Sequence, residues 1–249
     1  MSHERFRNPP IIEAVAALRF AVAEPWSNDL RRRIANRLRP LYPGEERQEV
    51  QLEFQTRVAG LETSTTTRSA PARLLLLTED GTGLAGIGPG VISVHVLKPY
   101  PGWAEFEARV QAAVAAVQEE TEANALLEVA IRYIDRIALS EGEGLSLTEY
   151  FTAIPPRPDD MPRQLTAYQL ITEAQDPDTG TIAVLTTSAV PPGKGESFVM
   201  LYDLNLLRRY QPEKPLPVGD FLAVLNALHD QQYRIFMDSI TPKTKELFA

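Results

Sequence analysis

Residues 11–22, IIEAVAALRFAV, alternate in side-chain character from one position to the next. The even positions are all apolar, whereas Glu13 and Arg19 fall at odd positions. Because successive side chains of a strand point to opposite faces of a sheet, this period of two predicts a strand with one buried face. Residues 127–139, LEVAIRYIDRIAL, are a second long stretch that we also interpret as a strand.

The segments after the first strand predict an ordered series of further elements. Apolar positions three and four residues apart predict a helix over 28–41 and a long helix over 103–121. Between them, alternating or continuous apolar runs predict strands over 48–58, 74–78 and 91–97.

Two stretches between these elements have no helical or strand period. Residues 60–73, GLETSTTTRSAPAR, are polar and are interpreted as a mobile loop. Residues 80–90, DGTGLAGIGPG, contain the spacing G-x-G-x-x-G. A dinucleotide site requires a helix after these glycines, whereas Pro89 and a strand follow here, so a hairpin is the favoured interpretation.

The second half of the chain repeats the same order of elements. After the strand at 127–139 we expect a short helix at 146–152, a hairpin of strands 164–174 and 181–188, a strand at 197–206 and a final helix at 217–238. The predicted fold class is α+β, with antiparallel sheet in two pseudo-repeated halves, 1–124 and 125–249, packed as one unit. The order strand, helix, strands, long helix resembles the TATA-binding-protein type of fold or a helix-grip fold, and this resemblance carries no function.

Three segments also resemble a known protein family. They are Asn8-Pro9-Pro10-Ile11-Ile12-Glu13-Ala14-Val15 with Leu18-Arg19-Phe20, the central Arg132-Tyr133-Ile134-Asp135-Arg136-Ile137, and Phe236-x-x-Ser239-Ile240-Thr241 with Leu247-Phe248. Together they are similar to an uncharacterised, sporadically distributed prokaryotic family of about 250 residues, over the full chain. The resemblance implies no activity, and the scattered distribution implies lateral transfer, as for genes on mobile elements or defence islands.

Composition limits the cellular setting that we expect. The 249 residues carry a formal charge of −8 and include no Cys. The first residues are charged and lack an apolar core, so we expect no signal peptide, no membrane span and a cytoplasmic location. A net negative chain is repelled by nucleic acid unless its positive charge is clustered.

The sequence contains none of the common motifs in which catalytic residues occur. Without Cys there is no thiol nucleophile or thiolate metal site. The histidines, His3, His95 and His229, do not lie at metal-ligand spacing, and neither a G-x-S-x-G sequence nor a P-loop occurs. We therefore expect no cofactor or metal, and whether the protein is an enzyme stays open, with a non-enzymatic role favoured.

Two groups of residues are candidate sites. The first is a basic cluster on the predicted first helix, Arg31, Arg32, Arg33, Arg37 and Arg39. It is either a patch for phosphates, RNA or an acidic partner, or a solvated face paired with nearby Glu45, Glu46 and Glu49.

The second candidate group lies on the predicted strands, where charges are costly to bury unless they are paired. It consists of Arg132, Tyr133, Asp135, Arg136, Tyr202, Asp203 and His95. These residues are expected to form either a buried ion pair between the halves or part of a ligand pocket.

Three hypotheses for function follow. The leading one is a non-enzymatic interaction protein that binds a protein partner or forms a homo-oligomer, in a mobile-element or defence context. The alternatives are a small-molecule-binding protein or enzyme of helix-grip type, and nucleic-acid binding through the basic first helix, which the acidic charge disfavours.

Overall fold

The computed structural model of the protein describes most of the chain. The described residues are 6–22, 26–59, 62–140, 146–154, 158, 160 and 167–249, and for 50–59 and 62–72 the backbone alone is described. No described helix combines the length and the hydropathy that are needed to cross a lipid bilayer.

Ten strands form a single antiparallel sheet within the described residues. They are β1 (Ile11–Phe20), β2 (Glu46–Ala59), β3 (Glu62–Leu77), β4 (Gly83–Gly88), β5 (Val91–Leu97), β6 (Ala125–Leu139), β7 (Gln169–Gln175), β8 (Ile182–Val190), β9 (Phe198–Arg209) and β10 (Leu216–Pro217). The order across the sheet is β2-β3-β4-β5-β1-β6-β9-β8-β7, and β10 pairs with β6. The two stretches that open the two halves, β1 and β6, are therefore direct neighbours at the centre.

Four α-helices accompany this sheet in the described part of the chain. They are α1 (Asn28–Leu38), α2 (Trp103–Glu120), α3 (Phe221–Ser239) and α4 (Pro242–Glu246), with short 3-10 helices at Leu147–Glu149 and Val218–Asp220. The predicted class, α+β with a large antiparallel sheet, is confirmed. The predicted helix at 146–152 is reduced to one 3-10 turn, and α4 has no counterpart in the sequence prediction.

The core lies between one face of the sheet and the helices. On β1 the residues Ala14, Ala16, Leu18 and Phe20 are fully buried, as the alternation predicts. Ala14 lies opposite Val96 on β5 and Tyr133 on β6, so the buried face continues across the strands. Helices α2 and α3 cover this face with apolar residues such as Phe106 and Leu225, and α1 packs on α2. Burial of this apolar area is the main stabilising contribution.

The interpretation of residues 60–73 as a loop is wrong for the described part, since β3 begins at Glu62. β3 pairs with β2 from Glu62 to Leu76 but with β4 only from Leu74 to Leu77. Residues 62–73 therefore belong to a two-stranded ribbon, where no helix-covered face imposes an apolar period. The threonines of this stretch favour extended backbone, and their polarity concealed that preference.

The hairpin at 80–90 is confirmed, and the dinucleotide interpretation is excluded by the strand that follows the glycines. Gly81 and Gly90 have φ of 69° and 72°, which suits glycine in the turns before β4 and before β5. The hairpin in the second half is formed by β7 and β8, and residues 164–166 of its predicted first strand lie outside the described residues.

Candidate functional site: the open face of the sheet

The face of the sheet opposite the helices is accessible. It carries the odd-numbered residues of β1, β5 and β9 and the even-numbered residues of β4 and β6, and we refer to it as the open face. Val15, Ile134 and Asn205 on this face are half-buried and Arg132 is exposed, whereas their chain neighbours on the helix side are buried. Partial exposure of apolar residues indicates a face that no described element covers.

The middle of the open face is a row of four small residues that ends at a leucine. Gly86, Ser93, Ala17 and Ala130 lie opposite one another on β4, β5, β1 and β6, and Ala130 lies opposite Leu207 on β9. All of them except Ala17 are buried among the larger side chains around them. A Cβ atom at Gly86 would lie 2.5 Å from the Ser93 hydroxyl oxygen, so a side chain at this position would require the Ser93 hydroxyl to move. We refer to Gly86, Ser93, Ala17 and Ala130 as the small-residue row, in which Ala17 is the partly exposed member.

Charged pairs lie along one side of the small-residue row. His95 Nδ1 lies 2.8 Å from Glu13 Oε1, and His95 Nε2 lies 3.1 Å from Ser93 Oγ. This hydrogen bond from His95 lowers the pKa of Glu13 against the opposing effect of burial, and the positive charge of Arg132 adds to the lowering. Arg132 in turn forms two hydrogen bonds with Asp203, at 2.7 and 2.5 Å.

Further charged pairs surround this centre. Arg209 Nε donates to Glu128 Oε2 at 2.9 Å on the other side of the row. Arg136 donates to both oxygens of Glu196, at 2.8 and 2.6 Å. Together with the backbone N–H of Gly193, Arg136 lowers the pKa of Glu196 to about 2. Glu128 and Glu196 therefore both form charge-assisted hydrogen bonds with an arginine.

Across β1, β4, β5, β6 and β9, arginines and carboxylates are equal in number on the open face when Glu196, the partner of Arg136, is included. The arginines are Arg19, Arg132, Arg136 and Arg209, and the carboxylates are Glu13, Glu128, Glu196 and Asp203. Arg73 pairs with Glu49 at the β2–β3 side, at 2.6 Å. This central part of the face has no excess of either sign, on a chain whose formal charge is −8.

The second candidate group from the sequence is divided between the two faces of the sheet. His95, Arg132, Arg136 and Asp203 lie on the open face, and Tyr133, Asp135 and Tyr202 lie buried on the helix side. The Arg132–Asp203 pair is partly exposed, with side-chain exposures of 46% and 22%.

The helix-side residues belong to a buried polar group beneath α3. The Tyr133 hydroxyl lies 3.1 Å from the Tyr100 hydroxyl and 3.2 Å from His229 Nδ1. The Tyr202 hydroxyl lies 2.9 Å from Ser239 Oγ. Burial raises the pKa of Asp135 to about 8, and the negative charge of Asp203 adds to this. Asp135 therefore favours its neutral form at pH 7.

Most of the basic cluster on α1 is engaged by acidic residues or by the helix itself. Arg33 and Arg37 both bind Glu120 at the end of α2, at 3.0 and 2.7 Å, and Arg39 binds Glu46. Arg31 is buried and donates to Asn28 of its own helix. Arg32 borders a shallow cleft of about 190 Å³ that Arg31 and Arg47 also line.

Several residues of the open face escaped the sequence prediction. Ala17, Ser93 and Ala130 carry no chemical signature, and only strand register brings them together. Glu13 was visible as the charged residue of an otherwise apolar strand, but its partner His95 lies 82 positions away. Glu120 is similarly distant from the arginines of α1 that it binds.

No known protein family matches the chain, and no curated protein is significantly similar to it. In the part of the chain that the structure describes, no group of three or more His, Asp or Glu side chains is arranged to hold a metal ion.

Proposed function

We propose that this protein is a non-enzymatic interaction protein that binds a protein partner through the open face of its sheet. The observation that carries the proposal is the set of four arginine–carboxylate pairs around the small-residue row. Arginine is enriched at protein–protein interfaces, where its planar group pairs with carboxylates and stacks on aromatic rings.

The shape of the open face suits a partner helix or strand. Five strands from β4 to β9 span roughly 20 Å, given about 4.8 Å between neighbouring strands. Small residues in the middle leave room for an apolar side of the partner, and the charged pairs at the margins can exchange ionic contacts with it. Charge pairs that already satisfy each other also keep the free face hydrated and limit unspecific association.

Electrostatics favour a protein over a nucleic acid as the partner. Phosphate binding requires an excess of positive charge, and the open face has none. The arginines of α1 supply such an excess in the sequence, but Arg33, Arg37 and Arg39 lie within ionic distance of glutamates. Arg32 is the remaining exposed arginine in that helix, and a single positive charge is not sufficient to bind a nucleic-acid backbone stably.

We also propose that the two halves, 1–124 and 125–249, are a pseudo-repeat of the TATA-binding-protein or helix-grip kind. Supporting this, the sheet runs outward from β1 as β5, β4, β3, β2 and from β6 as β9, β8, β7. Each half thus begins at the centre and places its last long strand next to its first. The family resemblance and the mobile-element or defence context belong to the same proposal, and the genes adjacent to this one would test them.

A second candidate function, small-molecule binding beneath α3, is favoured by Gln232. Its side chain is buried, and neither its amide nitrogen nor its amide oxygen finds a hydrogen-bond partner among the described residues. A polar ligand could satisfy both atoms. Ligand-induced thermal stabilisation that is lost in Gln232→Leu would support this alternative.

The protein-partner proposal is tested with a matched pair of arginine substitutions. Ala17→Arg places a long charged side chain in the middle of the small-residue row, and Ala104→Arg places the same side chain on the exposed surface of α2. A protein that co-purifies in constant stoichiometry is purified, and its dissociation constant is measured by calorimetry with each variant.

We expect Ala17→Arg to weaken binding at least tenfold and Ala104→Arg to leave it unchanged, with both variants folded by circular dichroism. Equal binding by Ala17→Arg, or catalytic turnover by the purified chain without any partner, would contradict the proposal.

A further inference from the structure

Strand β7 lies at one edge of the sheet and is exposed on both faces. All of its residues except Leu170 are exposed, and Ile171 retains 61% of its accessible surface. Within the residues that the structure describes, only β8 pairs with it. An edge strand of this kind presents a row of free backbone groups to any further strand.

Most of the usual protection of an edge strand is missing from β7. Its sequence, QLITEAQ, contains no Pro or Lys and one charged residue, Glu173, and its pairing with β8 runs without a bulge. Natural proteins use these devices to prevent pairing between edges. Their absence at an exposed edge indicates that pairing here is tolerated or used.

The backbone groups that point outward can be assigned from the hydrogen bonds with the neighbouring strand. Ala189 N donates to Tyr168 O, and Asp176 N donates to Thr181 O, so the even-numbered positions of this segment bond inward. Bonded and non-bonded positions alternate in an antiparallel pair. The free N–H and C=O groups therefore belong to Gln169, Ile171, Glu173 and Gln175.

We propose that β7 pairs with β7 of a second copy of this chain, antiparallel and around a two-fold axis at Thr172. This register pairs Gln169 with Gln175 and Ile171 with Glu173, each twice by symmetry. Every outward N–H and C=O of the strand then has a partner, with two hydrogen bonds in each pair. The interaction uses the edge of the sheet and does not depend on what binds the open face.

The side chains agree with this register. Thr172 meets Thr172 of the other copy, which is a favourable cross-strand pair, and Leu170 meets Ala174. The single charge of β7, Glu173, lies opposite Ile171. Moving the axis to Glu173 would place two carboxylates directly opposite each other, and moving it to Ile171 would leave Gln175 unpaired.

The two-fold axis runs perpendicular to the sheet, because residues of the same parity face each other. Ile171 lies opposite Thr186, which in turn lies opposite Asp203 on the open face. The open faces of the two copies therefore continue into each other on the same side of one larger sheet, which offers a two-fold symmetric surface.

The absence of cysteine from the chain allows a direct test of the register. Three single variants, Ile171→Cys, Thr172→Cys and Glu173→Cys, are oxidised under the same conditions. In the proposed dimer, residue 172 faces its own copy in a non-hydrogen-bonded pair with Cα atoms about 4.5 Å apart, within the range of a disulfide. We expect a covalent dimer with Thr172→Cys at least tenfold faster than with the two neighbours.

Sedimentation of the full chain over a range of concentrations gives the second measurement. Ile171→Glu would place a carboxylate directly opposite Glu173 of the other copy, twice by symmetry, and should raise the dissociation constant of the dimer at least tenfold. Leu247→Glu, at an exposed leucine elsewhere, should leave it unchanged. A monomer at every concentration, a dimer that Ile171→Glu does not weaken, or preferential crosslinking at 171 or 173 would overturn the proposal.

Discussion

The guanidinium group of Arg132 donates two hydrogen bonds to the carboxylate of Asp203, from Nε at 2.7 Å and from Nη2 at 2.5 Å. The two residues are not direct cross-strand partners, since Arg132 lies opposite Asn205 and Asp203 opposite Ile134. The pair therefore spans a diagonal between β6 and β9 at the centre of the open face. Two parallel hydrogen bonds fix the orientation of both side chains.

This pair should contribute modestly to stability, because Arg132 is largely in contact with water. A double-mutant cycle with Arg132→Gln, Asp203→Asn and the double variant should give a coupling of about 1 kcal/mol at low salt. In 1 M salt the coupling should fall, because screening weakens exposed pairs. Urea unfolding of the four proteins measures the coupling, and a value indistinguishable from zero at low salt would contradict a net stabilising contribution from this pair.

The sequence predicts the class of fold because its main elements have clear periods. β1 and β6 alternate in burial as expected, and the two long helices α2 and α3 begin and end within a few residues of the predicted bounds. The prediction of a loop over 60–73 was wrong where the chain forms a two-stranded ribbon at 62–73, because such a ribbon needs no apolar face.

The candidate site was less predictable because it depends on strand register. Residue parity alone separates Arg132 from Tyr133 and Asp135, so the division between two faces was implicit in the strand assignment. The pairing of Arg132 with Asp203, or of Glu13 with His95, depends on which strands are neighbours, and a single sequence does not give that order.

The first turn of α2 is joined to α3 through Trp103. Its indole ring stacks on His229, with ring centroids 3.8 Å apart and an interplanar angle of 7°, and its Nε1 donates to Asn226 Oδ1 at 3.0 Å. Trp103→Phe keeps an aromatic ring but removes the donor. We expect a loss of about 1 kcal/mol in the free energy of unfolding.

The matched control for this prediction is Asn226→Ala in the Trp103→Phe background. If the indole hydrogen bond is the cause, removing Asn226 should cost less in that background than in the parent. Equal costs in both backgrounds, measured by urea unfolding, would assign the loss of stability to packing of the larger ring.

Glu120 connects the end of α2 to the arginines of α1. Hydrogen bonds from Arg37 and Arg33, together with their positive charges, lower its pKa. Arg37→Glu should therefore lower the melting temperature, since it brings two carboxylates together. Exchanging the two charges in the double variant Arg37→Glu with Glu120→Arg should recover part of the loss, and no recovery would contradict the role of this pair. Differential scanning calorimetry at low and high salt gives the comparison.

Gln232 is an exception to the expectation that core substitutions destabilise. Because its buried amide finds no hydrogen-bond partner among the described residues, folding removes it from water without compensation. Replacement with Leu, which has a similar length, should raise the free energy of unfolding by about 1–2 kcal/mol.

Gln231→Leu, at the neighbouring and more exposed position, is the control and should change stability little. Destabilisation by Gln232→Leu would mean that the amide is satisfied in solution by water or by a ligand.

Asp135 should make the stability of the fold depend on pH in a direction opposite to most carboxylates. Its pKa is about 8 in the folded state against a reference value of 3.8, because burial disfavours the charged form. Between these two pH values the folded state binds one proton more than the unfolded state. The stabilising effect of the protonated Asp135 is therefore fully present below pH 4 and is lost as the pH rises towards 8.

Asp135→Asn imitates the protonated group and removes this dependence. We expect it to stabilise the protein by a few kcal/mol at pH 8, on the order of 1.4 kcal/mol for each pH interval over which the proton is held, and to have little effect at pH 4. Chemical unfolding of parent and variant across this range measures the difference, which cancels the titration of the histidines common to both. A gain for Asp135→Asn that does not grow with pH would show that the buried carboxyl is not the titrating group.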